Sequence, residues 1–129
     1  MKKIIFALLP IVLFASCVLS FSDEEVKIRI ENNSEFAMDS VLAIYPEDEI
    51  LYGLIPAGEA SSYQTVTKAY RYAYIETKIN SELSVLQPID YMGESLLKSG
   101  RYTYVLSVLE ENGGTSEPHY NLSLELEKD

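Results

Sequence analysis

Apolar and polar residues alternate one by one through most of this chain, and this feature restricts its fold more than any other. In residues 26–31, for example, apolar side chains occupy every second position and charged ones lie between them. A period of two is that of a β-strand with one buried face, whereas a helix needs apolar residues three to four positions apart. Strong helical periodicity is absent, so we expect an all-β fold.

Eight segments carry the alternation or a weaker form of it. They are residues 26–31, 41–45, 50–55, 62–67, 70–79, 83–87, 100–108 and 120–127. Turn-forming residues separate these segments. No crossover helix is expected, and the one helical element expected is a single turn at residues 94–98. This number and spacing predict an antiparallel β-sandwich of seven or eight strands, in which 70–79 and 83–87 form a hairpin.

The approach to the seventh segment carries a short motif. Leu97, Gly100 and Tyr102 stand in the order Leu-x-x-Gly-x-Tyr, which resembles the start of a late strand in immunoglobulin-like and transthyretin-like sandwiches. The resemblance implies a tyrosine corner, in which the tyrosine hydroxyl pins a loop. Residues 53–59 resemble an inter-strand turn of the same folds.

The first residues look like a lipoprotein leader. Two lysines precede an apolar run at residues 4–14, which is shorter than the roughly 20 residues that cross a bilayer. The run ends on Leu-Phe-Ala-Ser-Cys, which resembles the lipobox of bacterial lipoproteins, although Phe14 stands where that pattern has an aliphatic residue. The resemblance implies that residues 1–16 are removed and that Cys17 is lipidated, which would anchor the protein to a membrane.

Residues 17–24 then form a tether to a single domain at residues 25–129. The acidic residues Asp23, Glu24 and Glu25 resemble the export signals of surface lipoproteins, which implies an outer-membrane protein exposed at the cell surface, with the periplasmic face as the alternative. Together with this leader and tether, residues 52–53, 57–59, 69–76 and 86–91 resemble small lipoproteins of gut Bacteroidota. The resemblance covers nearly the whole chain and implies no enzymatic activity.

Charge and cysteine content exclude several classes. The chain has a net charge of −10, and removal of a leader containing Lys2 and Lys3 leaves 8 basic against 20 acidic residues, or −12. Nucleic acid is therefore a poor partner, because phosphate binding needs a basic face. A single cysteine allows neither an intramolecular disulfide nor a thiolate metal cluster.

No catalytic motif stands out, and we expect no enzyme, cofactor or metal. The one histidine, His119, is expected to be a solvated residue at the start of the last strand. A hydrolase would need two carboxylates to converge in a cleft. Residues 46–49 gather three carboxylates, as calcium prefers, but they lack the spacing and glycine of a calcium loop, so a solvated turn is expected.

The chain has ten tyrosines and no tryptophan. Three of them, Tyr70, Tyr72 and Tyr74, share one face of the fifth segment beside Arg71. One interpretation is that the rings pack within half-buried sheets. The other places the opposite face, with Ala73, in the core and turns the three tyrosines outward, beside Arg71, as a stacking surface for a sugar ring or a partner protein.

These observations favour a non-catalytic, lipid-anchored binding module of the cell envelope, whose ligand is a glycan, a peptide or another envelope protein. The alternative is a structural or assembly subunit that pairs an edge strand with another chain by β-addition. A concave aromatic patch would favour the first hypothesis, and a long, hydrophobic, unprotected edge would favour the second.

Overall fold

The computed structural model of this protein describes residues 25–111 and 118–129. Within these residues the chain forms eight β-strands and no helix, so nothing helical in this part is long and apolar enough to cross a membrane. The strands are β1 (Val26–Asn32), β2 (Met38–Ile44), β3 (Glu49–Ile55), β4 (Gln64–Val66), β5 (Tyr74–Ile79), β6 (Glu82–Leu86), β7 (Gly100–Glu111) and β8 (His119–Lys128). The predicted leader, Cys17, the tether and the turn at residues 112–114 lie outside the described residues.

Two four-stranded sheets make up the fold. Sheet A has the strand order β4-β1-β7-β8 and sheet B the order β3-β2-β5-β6. Buried side chains from both sheets form one hydrophobic core, so the sheets pack face to face as a β-sandwich. The expected all-β sandwich with eight strands is confirmed.

Strand direction differs from the prediction at one place. All pairs in both sheets are antiparallel except β1 and β7, which run parallel from Val26 opposite Gly100 to Asn32 opposite Leu106. The expected uniformly antiparallel arrangement is therefore wrong for this pair. Alternation shows that a strand has one buried face, but it carries no information on which distant strand lies beside it.

The alternating apolar residues form the core. In β1 the apolar positions Val26, Ile28 and Ile30 are buried, and in β7 so are Tyr102 and Tyr104. Sheet B contributes the inward side chains Met38, Val41, Ala43, Ile75 and Ile79. Full burial of one such aliphatic side chain stabilises the fold by about 1.5–3 kcal/mol, so the paired inner faces drive the folding.

Two local expectations differ from the structure. The fifth strand begins at Tyr74 rather than at residue 70, so Tyr70 and Tyr72 belong to a loop. No helical turn forms at residues 94–98. Instead, the amide of Leu97 donates a hydrogen bond of 2.8 Å to the carbonyl of Ala69 in the loop before β5, and this contact between loops keeps the segment non-helical.

The predicted hairpin and tyrosine corner are both confirmed. β5 and β6 pair through a turn at Asn80 and Ser81, both of which have positive φ. Two positive φ values are typical of the type I′ turn, whose twist matches that of the strands it joins. The hydroxyl of Tyr102 donates a hydrogen bond of 2.7 Å to the carbonyl of Lys98, as the resemblance implied.

Candidate functional site

The predicted site residues lie at one end of the sandwich, which we call the entry end because the described domain begins there. The amide of Gly100 donates a hydrogen bond of 2.9 Å to the carbonyl of Glu25, so the first described residue lies beside the start of β7. Three loops meet at this end: residues 45–48, 67–73 and 87–99. The amide of Thr67 bonds to the carboxylate of Asp48 at 2.7 Å, which joins the first two loops.

Tyrosine rings stack where the second and third loops meet. The ring of Tyr91 stacks on that of Tyr70, with centroids 4.6 Å apart, and on that of Tyr72, at 5.3 Å. The hydroxyl of Tyr72 also donates a hydrogen bond of 3.0 Å to the carbonyl of Asp90. Part of the stacking surface of these rings is thus used within the protein.

The structure separates the four predicted residues. Tyr70 and Tyr72 are half-buried in the loop, and Arg71 between them is exposed. Tyr74, the first residue of β5, is also half-buried, while Ala73 lies in the core. Ala73 therefore lies in the core, as the second interpretation placed it, whereas the three tyrosines are only partly exposed.

Sequence reasoning missed Tyr91, which holds the cluster together. Its neighbours along the chain show no alternation, because it lies in a loop rather than a strand. Its partners are 19 and 21 residues away in sequence, so no local pattern could have pointed to it. The number of tyrosines in the sequence does not show which of them stack on one another in the fold.

Grooves border the tyrosines on both sides of Pro88. One, of about 310 Å³, is lined by Ile44, Tyr45, Pro46, Tyr74, Gln87, Pro88 and Tyr91. The other, of about 230 Å³, lies between Tyr72, Leu86, Pro88 and Leu124. A larger cleft of about 540 Å³ brings together three basic side chains, Arg71, Lys98 and Lys128, with one acid, Glu94.

Three tyrosines of this end, Tyr72, Tyr74 and Tyr91, have pKa values raised above the ordinary one. Partial desolvation, with Glu94 and Asp90 nearby, raises the pKa of Tyr72. Desolvation likewise raises the pKa of Tyr91. The hydrogen bond that Tyr74 donates to Glu76, 2.9 Å long, raises the pKa of that phenol. These hydroxyls are therefore neutral polar groups, suited to hydrogen bonding rather than to acid–base catalysis at neutral pH.

The outer face of sheet B carries both apolar and charged side chains. One row across the four strands runs Leu51, Leu42, Glu76 and Val85, and the next runs Glu49, Ile44 and Tyr74. The side chains of Leu51 and Leu83 are 65% and 61% exposed, and those of Ile44 and Val85 are exposed as well. Large apolar side chains thus face solvent on three of the four strands.

The outer face of sheet A is different, because polar groups cover it. Arg29 donates a hydrogen bond of 3.0 Å to the hydroxyl of Thr103, which in turn donates to the carboxylate of Asp129. The guanidinium groups of Arg29 and Arg101 lie over the ring of Tyr63 at 5.0 and 5.4 Å. Cation–π contacts and hydrogen bonds close this face, so only sheet B presents an open apolar surface.

Two of the four edge strands, β3 and β8, carry features that oppose pairing with another chain. β3, at one edge of sheet B, is interrupted by register shifts and by Gly53 with φ of 85°. β8, at one edge of sheet A, has exposed Glu125, Glu127 and Lys128 on its outward positions. Charges and bulges are the devices by which sheet proteins avoid edge-to-edge association.

The remaining polar candidates are placed as follows. His119 is exposed at the first position of β8, opposite Glu111. In the acidic loop, Glu47 forms an ion pair of 3.1 Å with Lys68, and Asp48 accepts the Thr67 amide. Across the described residues no three His, Cys, Asp or Glu side chains come together as a metal site would require.

No family model matches this chain, and no curated protein matches it. Among solved structures, the chain is similar to one described as an NMR structure of a protein from Eubacterium rectale, with a TM-score of 0.55 and 12% sequence identity. That match covers 83% of this chain and 94% of the other. At such low identity the likeness concerns the fold alone, and it agrees with the two-sheet architecture.

Proposed function

We propose that this protein is a non-catalytic, lipid-anchored binding module of the cell envelope that binds a protein partner through the outer face of sheet B. The observation that supports the proposal is the group of exposed apolar side chains on that face, with Ile44 and Leu51 on one side of β5 and Leu83 and Val85 on the other. Several large apolar side chains exposed on one face are typical of interaction sites.

The surroundings of this face also suit a protein interface. Charged residues rim it, among them Glu49 at one edge and Lys78 in β5, as polar rims surround the apolar centre of many interfaces. The groove beside Tyr74 and Pro88 continues from Ile44 at the end of the face. An apolar side chain of the partner would fit this groove as an anchor.

We propose further that the sandwich is of the immunoglobulin-like or transthyretin-like type. The hydrogen bond from Tyr102 to the carbonyl of Lys98 supports this, because it is the tyrosine corner that the motif implied. Anchoring through a lipid on Cys17, and exposure at the cell surface, belong to the same proposal. External protease digestion of intact cells tests the exposure, since a periplasmic protein would be cut only after the outer membrane is opened.

Photo-crosslinking in the cells that make the protein tests the partner site. A photoreactive amino acid would replace Leu51, Val85 or, as a matched control, Leu109, which is 61% exposed on the outer face of sheet A. We expect a protein adduct of the same mass from positions 51 and 85 and none from 109. Leu51→Asp should remove the adduct formed at position 85.

Equal adducts from all three positions, or none from 51 and 85, would overturn the proposal. An adduct with the mass of two copies of this chain would identify self-association instead. A glycan ligand is the second candidate, because the groove of about 310 Å³ is walled by the rings of Tyr74 and Tyr91. It predicts that Tyr74→Ser abolishes glycan binding while Leu51→Asp leaves that binding unchanged.

A further inference from the structure

Two large apolar side chains project from the loop at residues 87–99. Ile89 is 98% exposed and Met92 is 89% exposed, more than any other large apolar residue in the described part of the chain. Leaving both in water gives up the free energy of burying them.

The loop around them is held in place by specific contacts. The carbonyl of Asp90 accepts the hydroxyl of Tyr72, and its carboxylate accepts the amide of Met92 at 3.0 Å. The amide of Glu94 bonds to the carbonyl of Tyr91 at 3.0 Å across a tight turn, in which Gly93 has φ of 83°. A turn of this kind needs a positive φ at that position, which glycine adopts without strain. Ile89 and Met92 are thus presented outward by an ordered loop.

This loop lies at the entry end, next to the point where the tether joins the domain. Gly100, which directly follows the loop, donates its amide to the carbonyl of Glu25. Eight peptide units separate Cys17 from Glu25 and span at most about 28 Å. β7 alone has 12 residues and is about 40 Å long. A lipid on Cys17 would therefore keep the entry end within about 28 Å of the bilayer, whereas the opposite end can lie farther away.

We infer that Ile89 and Met92 insert into the surface of the bilayer that carries the lipid anchor. Tyr91 directly precedes Met92 in the chain and stacks on Tyr72, and amphipathic rings of this kind favour the headgroup region. Arg71 and Lys98 line the adjoining cleft and can bind lipid phosphates, although the chain as a whole is acidic. Ile89 and Met92 thus add a second, weak membrane contact to that of the lipid anchor. This contact leaves the outer face of sheet B free for a partner.

The inference rests on the proposed lipid anchor, so the experiment separates the two. The mature lipoprotein is reconstituted in vesicles of phosphatidylethanolamine and phosphatidylglycerol, with an environment-sensitive fluorescent amino acid in place of Ile89 or, as control, of Leu109. Nitroxide lipids labelled near the headgroup serve as quenchers. We expect at least about twofold quenching and a blue shift at position 89 and neither at position 109. Met92→Asp should reduce the quenching at position 89.

Intact mass reports separately whether Cys17 carries lipid. If it does not, the anchor proposal fails, and coupling the Cys17 thiol to a maleimide lipid still places the domain on the vesicle for the same measurement. If the fluorophore at position 89 is quenched no more than the one at position 109 while the protein is anchored to the vesicle, the proposed membrane contact is overturned. Crosslinks from positions 51 and 85 concern sheet B alone, so they are unaffected by that outcome.

Discussion

The hydroxyl of Tyr52, on sheet B, donates a hydrogen bond of 3.1 Å to the main-chain carbonyl of Ile28, on sheet A. Because its proton is used there, the same oxygen accepts the hydroxyl of Tyr45, 2.7 Å away. The ring of Tyr45 stacks in turn on that of Tyr104, with centroids 6.2 Å apart. Buried phenols thus connect the two sheets in the interior, where water competes little for their hydrogen bonds.

This arrangement predicts loss of stability at alkaline pH. Burial raises the pKa of Tyr52 from its ordinary value of 10.0 to about 12, and it raises the pKa of Tyr45 and Tyr104 further. Above pH 10 these tyrosines lose their protons in the unfolded state while the native state still binds them. The stabilisation that results from these raised pKa values is therefore fully present below pH 10. The part that Tyr52 contributes is lost as the pH rises from 10 through 12.

Urea unfolding at a series of pH values measures the effect. Each such tyrosine lowers the free energy of unfolding by about 1.4 kcal/mol per pH unit above 10. Tyr45→Phe should cost about 1 kcal/mol at pH 7, since its hydrogen bond to Tyr52 is lost, and should make the decline above pH 10 less steep. If the free energy of unfolding of this variant falls as steeply with pH above 10 as that of the unmodified protein, the raised pKa of Tyr45 is contradicted.

The buried side chain of Asn32 donates hydrogen bonds to two main-chain carbonyls. Its side-chain amide donates to the carbonyls of Phe36 and Ile55 at 2.7 and 2.9 Å, and its oxygen accepts the hydroxyl of Ser34. Asn32→Ala leaves these groups without their partner and should reduce the free energy of unfolding by about 2–4 kcal/mol. The matched control Asn33→Ala, at an exposed position, should change it by less than about 0.5 kcal/mol. Equal effects in urea unfolding would show that the network contributes little.

The tyrosine corner should restrain the loop before β7. Tyr102→Phe removes the hydrogen bond to Lys98 and should cost about 1 kcal/mol. In hydrogen exchange we expect the amides of Leu97 and Gly100, which bond to Ala69 and Glu25, to exchange faster. The amide of Asn33, which bonds to Leu106 at the other end of the sandwich, is the internal control. Uniform acceleration of all three amides would indicate global destabilisation instead.

Ser81 occupies a turn position with φ of 69°, where a side chain is strained. Ser81→Gly should stabilise the protein by about 0.5–1 kcal/mol, because the relief of strain exceeds the added flexibility of the unfolded chain. Ser95→Gly, at a loop position that does not have positive φ, should be neutral or slightly destabilising. Thermal unfolding of both variants makes the comparison, and a lower melting temperature for Ser81→Gly would contradict it.

Much of the architecture could be predicted because it is encoded locally. Period-two alternation identified all eight strands, and in β1 its apolar positions are the buried ones. Turn residues such as Asn80 indicated the hairpin, and the spacing of Gly100 and Tyr102 indicated the corner. Each of these signals lies within a few consecutive residues, whose geometry restricts the backbone whatever the rest of the chain does.

Only the tertiary structure decided how these pieces combine. The parallel pairing of β1 with β7, the stacking of Tyr91 on Tyr70 and Tyr72, and the burial of Thr103 beneath Arg29 join residues far apart in sequence. Such contacts depend on which surfaces find complementary partners in three dimensions, and that choice is made by the packing of the whole chain. Alternation likewise predicted that each sheet has an outer face. Only the fold shows that polar groups cover this face in sheet A and that apolar side chains are exposed on it in sheet B.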